Sequence, residues 1–135
     1  MPPSDIWLAC HGPLSCNSGL HVRHLAAALA GRDRRVPVCV PERSADDREL
    51  AAGVRLLTFG DATRAADVAR PDLVHLWTPR ERMRRFLEAV IRRFGRVAHV
   101  VHLEDDESLL LRRQLRLQPH EVEDGQNLLE ACVEL

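Results

Sequence analysis

Three groups of polar residues follow directly on apolar runs, and they are where this sequence could do chemistry. After Ile6-Trp7-Leu8-Ala9-Cys10 comes a loop with His11, Gly12, Pro13, Cys16, Asn17, Ser18 and Gly19. After Leu73-Val74-His75-Leu76 come Trp77 and Thr78, and after Val97-Ala98-His99-Val100-Val101 come His102, Leu103 and the acids Glu104-Asp105-Asp106-Glu107. A strand that feeds a helix through small residues exposes backbone N–H groups at the positive end of the helix dipole. Such a place suits a ligand carrying hydroxyls or negative charge. An imidazole at a strand end can move a proton or bond a hydroxyl, and it can equally be a satisfied structural group. Both readings stay open for His102. His75, inside an apolar strand, reads as a core group or as a support behind the site residues, and His99 is given no role.

Other residue types remove whole classes of function. All 19 basic residues are Arg, and Lys and Tyr are absent, so Schiff-base chemistry, a phosphate-loop lysine and a tyrosine acid/base are excluded within this chain. The cysteines are Cys10, Cys16, Cys39 and Cys132. Cys10 and Cys39 lie at the ends of apolar runs and read as reduced core thiols. Cys10, Cys16, His21 and His24 do not make a zinc finger, because four residues separate Cys16 from His21 where a finger has about twelve. No metal is expected. A net charge of −1 and an aromatic content of 4% argue against a nucleic-acid module. No apolar run reaches the roughly 18 residues of a membrane span, and Met1-Pro2-Pro3-Ser4-Asp5 lacks a basic leader region, so a cytoplasmic location is expected.

The elements that position these groups follow from periodicity. With 135 residues, 45% hydrophobic and 29% charged, the chain is expected to be a globular domain with a real core. The run at 6–10 reads as a strand, followed by a glycine-bearing turn and a helix whose apolar positions Val22, Leu25, Ala26 and Leu29 end at Gly31. A second strand at 35–41 contains Pro37, which implies a place where one ladder bond is lost. Ser44 and Asp47 open a short polar helix to about Ala52, strand 54–59 follows, and a short helix covers about 62–69. Strand 72–77 leads to Thr78 and Glu81, which have capping-box spacing, with Pro79 at the first helical position. Met83, Phe86, Leu87, Val90, Ile91 and Phe94 then form one apolar face ended by Gly95. The run at 97–103 is nearly continuous in apolar residues, as a strand covered on both faces should be. A helix over 108–117 and an acidic amphipathic segment after Pro119 complete the chain.

Strands alternating with helices, without hairpin signals, predict an α/β fold: a three-layer Rossmann-like domain over 1–118, with a parallel sheet of about five strands and helices on both faces. Residues 119–135 are expected to form a C-terminal acidic helical segment. Right-handed crossovers bring His11 to Gly19, Trp77-Thr78 and His102 to Asp105 to one sheet edge. Arg80, Arg82, Arg84, Arg85, Arg92, Arg93 and Arg96 make the helix after Pro79 basic, most simply as a solvated face, or else as a contact with anionic lipid or acceptor.

Three strings resemble the N-terminal, acceptor-side domain of GT-B glycosyltransferases of the family 4 type. They are Ser18-Gly19-Leu20-His21-Val22-Arg23-His24-Leu25, Pro71-Asp72-Leu73-Val74-His75-Leu76-Trp77-Thr78-Pro79 and Val100-Val101-His102-Leu103-Glu104-Asp105. They occur in the family's order and spacing, between about residues 5 and 110. Trp77 stands where the family has a second His, and Ser18-Gly19 where it has two glycines. The resemblance implies His102 as the catalytic residue near the reaction centre. It places Ser18 and Gly19 under the donor phosphate and sugar, and Trp77, Thr78, Glu104 and Asp105 in the substrate-binding set. It implies a retaining, nucleotide-sugar-dependent transfer with no cofactor beyond the nucleotide-sugar donor. The donor is held mainly by a second, C-terminal domain that nothing in these residues supplies. The implied partners are therefore that missing domain or a partner chain and a sugar or lipid acceptor, with self-association or peripheral membrane contact also expected. On this view the chain alone is half of an active site and transfers no sugar. The alternative is a non-catalytic α/β module that binds a nucleotide or a protein in the same crevice.

Overall fold

The computed structural model describes residues 5–32, 34–45, 47 and 50–103. Five strands, β1 (Ile6–Cys10), β2 (Val36–Val40), β3 (Val54–Thr58), β4 (Leu73–Trp77) and β5 (Ala98–His102), form one sheet in the order β3-β2-β1-β4-β5. Every neighbouring pair is parallel, as expected from the alternating pattern. Helix α1 (Asn17–Ala30) joins β1 to β2, α2 (Phe59–Arg64) follows β3, and α3 (Glu81–Phe94) joins β4 to β5.

Strand alternation sorts the core onto two faces. On one face Leu8, Cys10, Val38, Val40 and Trp77 pack with Leu14 and with Val22 and Ala26 of α1. On the other, Trp7, Ala9, Cys39, Val74 and Leu76 meet Met83, Phe86, Leu87 and Val90 of α3 and Ala62 of α2. Complete burial of Met83 or Leu87 contributes about 1.5–3 kcal/mol each. Phe59 of α2 stacks on Phe86 with centroids 4.2 Å apart, so the two helices on this face lock together through aromatic rings. Arg93, expected on the solvated face of α3, instead donates to the carbonyls of Ala62 (3.0 Å), Ala65 (2.6 Å) and Val68 (3.2 Å). It caps the C-terminal end of α2 from a neighbouring helix, where a cation is favoured by the helix dipole.

Several boundaries differ from expectation, each for a physical reason. Helix α1 begins at Asn17, five residues before Val22, because the Cys16 thiol caps it by accepting from the Gly19 N–H at 3.4 Å. Gly31 ends this helix in a right-handed conformation (φ −65°), with its N–H bonded to the Ala27 carbonyl. The polar helix expected from Ser44 is a single 3-10 turn at the described positions 45 and 47; Asp47 satisfies both the N–H and the hydroxyl of Ser44. Helix α2 starts at Phe59 because Thr58 and Asp61 form a reciprocal capping box. Pairing of β1 with β2 is recorded at Val38 and Cys39 and again at Arg35, which leaves the gap that Pro37 requires. Strand β5, at the sheet edge, is covered on one face only: Val101 packs against the core, whereas Ala98 and Val100 on the other face are exposed, Val100 at 46%, and Leu103 after the strand is 49% exposed. Glu104 and Asp105, the helix expected over 108–117, the segment at 119–135 and Cys132 lie outside the described residues.

Candidate functional site

The chain winds outward from β1 in one direction through β2 and β3, and from β4 in the other through β5. The loops leaving β1 and β4 therefore diverge and open a crevice at the carboxyl edge, the usual ligand position in open α/β sheets.

Thr78 occupies the centre of this edge. Its φ is +63°, making it the one described non-glycine residue in the left-handed region, and it is 3% exposed. A β-branched side chain there is strained, and such strain persists only where surrounding contacts impose it. Those contacts are visible. The Thr78 N–H donates to the His102 carbonyl at 3.0 Å, which ties the end of β4 to the end of β5. The Thr78 hydroxyl donates to the Trp77 carbonyl and lies 2.6 Å from His11 Nδ1. A hydroxyl has one proton, so with that proton on the Trp77 carbonyl the Thr78 oxygen is left to accept from His11 Nδ1–H. Arg82, in the first turn of α3, donates to the His11 carbonyl at 3.0 Å and fixes the residue from its other side.

This arrangement displaces the expected cap. Thr78 and Glu81 have the spacing of a capping box, but Arg80 is the N-cap of α3 and makes no side-chain cap bond. Glu81 instead pairs with Arg84 and Arg85, each at 2.8 Å. Their hydrogen bonds hold its carboxyl down to about 2.

Beside Thr78 is a cluster of rings. Trp77 stacks on His102 at 4.1 Å, on His75 at 4.9 Å and, across to α1, parallel to His21 at 6.3 Å. Trp77 is 6% exposed, and the indole N–H and His75 Nε2 are buried without a hydrogen-bond partner. Burial, reinforced by the neighbouring His102, pushes the His75 pKa down. His75 thus lies within the ring cluster, against Trp77 and His102. His102 is partly buried, with Trp77 behind it.

Ser18 and Gly19 lie in the first turn of α1 and are buried. A Cβ on Gly19 would stand 2.5 Å from the Leu14 Cα and carbonyl oxygen, so the glycine is required by the loop packed against it. Trp77, Thr78 and His102 therefore meet at one edge, with Ser18 and Gly19 at the start of the helix that follows β1. His11, placed at this edge by the sequence as part of the loop after β1 but given no role of its own there, joins them through its contact with Thr78. Among the described residues no three His, Cys, Asp or Glu side chains are grouped to hold a metal ion. Among them, too, no helix is long and apolar enough to cross a membrane.

A parallel five-stranded sheet with helices on both faces defines a Rossmann-like α/β domain. No protein family, no curated protein and no solved structure matches this chain.

Proposed function

We propose that the chain is the acceptor-side half of a retaining, nucleotide-sugar-dependent glycosyltransferase. The observation that carries this reading is the junction at Thr78, where a strained backbone and bonds to His11 and His102 tie the ends of β1, β4 and β5 together at the carboxyl edge of the sheet. His102 is the ring that meets the sugar or lipid acceptor, and Trp77 backs it by stacking. Ser18 and Gly19 form the floor at the N-terminus of α1, the end whose dipole favours a phosphate. The donor's nucleotide is gripped by a second domain or a partner chain in the cytoplasm, and the chain alone transfers no sugar.

Titrating the full chain with a nucleotide-sugar and with neutral sugars, followed by NMR, tests this. Neutral sugars are expected to shift the signals of His102, Thr78 and the Trp77 indole, with nucleotide-sugar binding weak or undetectable. Sub-micromolar nucleotide-sugar binding by the chain alone would overturn the half-site reading. A second reading, a non-catalytic protein-binding module, is favoured by the exposed Val100 on edge strand β5 and the exposed Leu103 directly after it. It gains ground if no sugar perturbs the crevice.

A further inference from the structure

On the same carboxyl edge, next to the His11 carbonyl, a cavity of about 280 Å³ is lined by Gly12 and Pro13 after β1, Pro41, Glu42, Arg43 and Ser44 after β2, and Arg82 at the start of α3. Two of these residues are cations, and both are anchored. One Arg43 nitrogen donates to the Leu56 carbonyl at 3.1 Å, and one Arg82 nitrogen donates to the His11 carbonyl at 3.0 Å. A carbonyl orients a guanidinium without neutralising it, and the remaining N–H groups keep their fork geometry for an oxyanion. Among the described residues neither Arg43 nor Arg82 forms an ion pair with a carboxylate, whereas Arg35, Arg55, Arg84 and Arg85 all do. Two cations without a carboxylate at ion-pair distance thus share one cavity, the Asp61 carboxyl acting on Arg43 only as a more distant charge, and part of the entropy of ordering their long side chains is already spent on the carbonyl contacts.

The cavity also holds one acid, Glu42, which repels a bare anion and accepts from a hydroxyl. Its volume lies just below the roughly 300 Å³ at which drug-sized pockets begin, which suits a ligand of monosaccharide size. We propose that this cavity binds a phosphomonoester of a small polyhydroxylated molecule, with the phosphate on Arg43 and Arg82 and a hydroxyl on Glu42. The site stands apart from the glycosyl-transfer reading, because phosphate binding is measured on the chain alone and needs neither donor nor second domain.

The test is an NMR titration of the full chain with glucose 6-phosphate, inorganic phosphate and glucose, alongside sedimentation with vesicles that carry phosphatidic acid. Glucose 6-phosphate is expected to shift Gly12 and Ser44, with inorganic phosphate weaker and glucose silent at those positions. Arg43→Gln and Arg82→Gln should each weaken binding about tenfold, the loss of about 1.4 kcal/mol. Glu42→Gln, an exposed change that leaves both anchors intact, should tighten inorganic phosphate and weaken the preference for the sugar phosphate. Arginine-dependent binding to the vesicles supports the same phosphate chemistry and assigns its source to a lipid headgroup. The proposal is overturned if glucose 6-phosphate fails to saturate at millimolar concentration, if glucose shifts the same residues as strongly, or if neither arginine substitution weakens binding while urea unfolding shows both variants folded.

Discussion

The conformation of Thr78 makes a prediction whose sign is opposite to that at almost any other position. At an ordinary site Gly is less stable than Ala by roughly 0.5–1 kcal/mol, because the unfolded chain gains freedom. In the left-handed region the Cβ of an L-residue collides with its own backbone, at about 1–2 kcal/mol. Thr78→Ala keeps the Cβ and therefore the strain at φ +63°, but removes the hydroxyl that bridges His11 and the Trp77 carbonyl. Leaving the partly buried His11 ring and the buried Trp77 carbonyl without that partner should cost about 1–3 kcal/mol. Thr78→Gly removes the same hydroxyl and also releases the strain, so it should recover about 1 kcal/mol of the loss, the strain relief exceeding the backbone entropy term. Urea unfolding of the two variants at neutral pH, followed by tryptophan fluorescence, measures the difference. If Thr78→Gly is less stable than Thr78→Ala, the backbone is not held left-handed in solution, and the contacts from His11 and His102 do not constrain it as described.

Three further outcomes follow from particular contacts. The His75 pKa is depressed in the folded state by burial and by His102, so the unfolded chain binds more protons below the ordinary histidine value of 6.5. The stability this depression contributes is complete above pH 6.5 and is lost as pH falls through that value towards the lowered folded pKa; His75→Phe should flatten the pH dependence of urea midpoints there, and an unchanged slope would place the titration elsewhere. Gly19→Ala should cost about 1–3 kcal/mol, because its Cβ would meet the Leu14 backbone at 2.5 Å; a thermally unperturbed variant would show that the 14–19 loop yields. Arg93→Gln should remove about 1.5–3 kcal/mol by uncapping the carbonyls of Ala62, Ala65 and Val68, with amide exchange rising in α2 first; exchange that rises evenly across the sheet would mean that Arg93 supports the whole domain and not this helix.

Two strings in this chain, Thr58-Phe59-Gly60-Asp61 and Thr78-Pro79-Arg80-Glu81, look alike as capping boxes, and only the first is one. Thr58 has the extended backbone that an N-cap needs, φ −75° and ψ 160°, and no competitor reaches Asp61 at ion-pair distance among the described residues. Thr78 is turned left-handed by His11 and His102, one 67 residues before it in sequence and the other on the next strand, and Glu81 is taken by arginines one turn further along α3. The five strands and the apolar face of α3 were legible because periodicity is a property of the segment itself. The exposure of β5 was not, since a run of apolar residues carries no information on whether anything lies against it. The anchoring of Arg82 and Arg93 was equally hidden, because a basic residue on a helix has the same local pattern whether it meets water or a distant carbonyl. Where a residue's partners lie far off in sequence, local rules mislead, and Thr78 is the point at which three strand ends impose a conformation that its own neighbours in sequence do not favour.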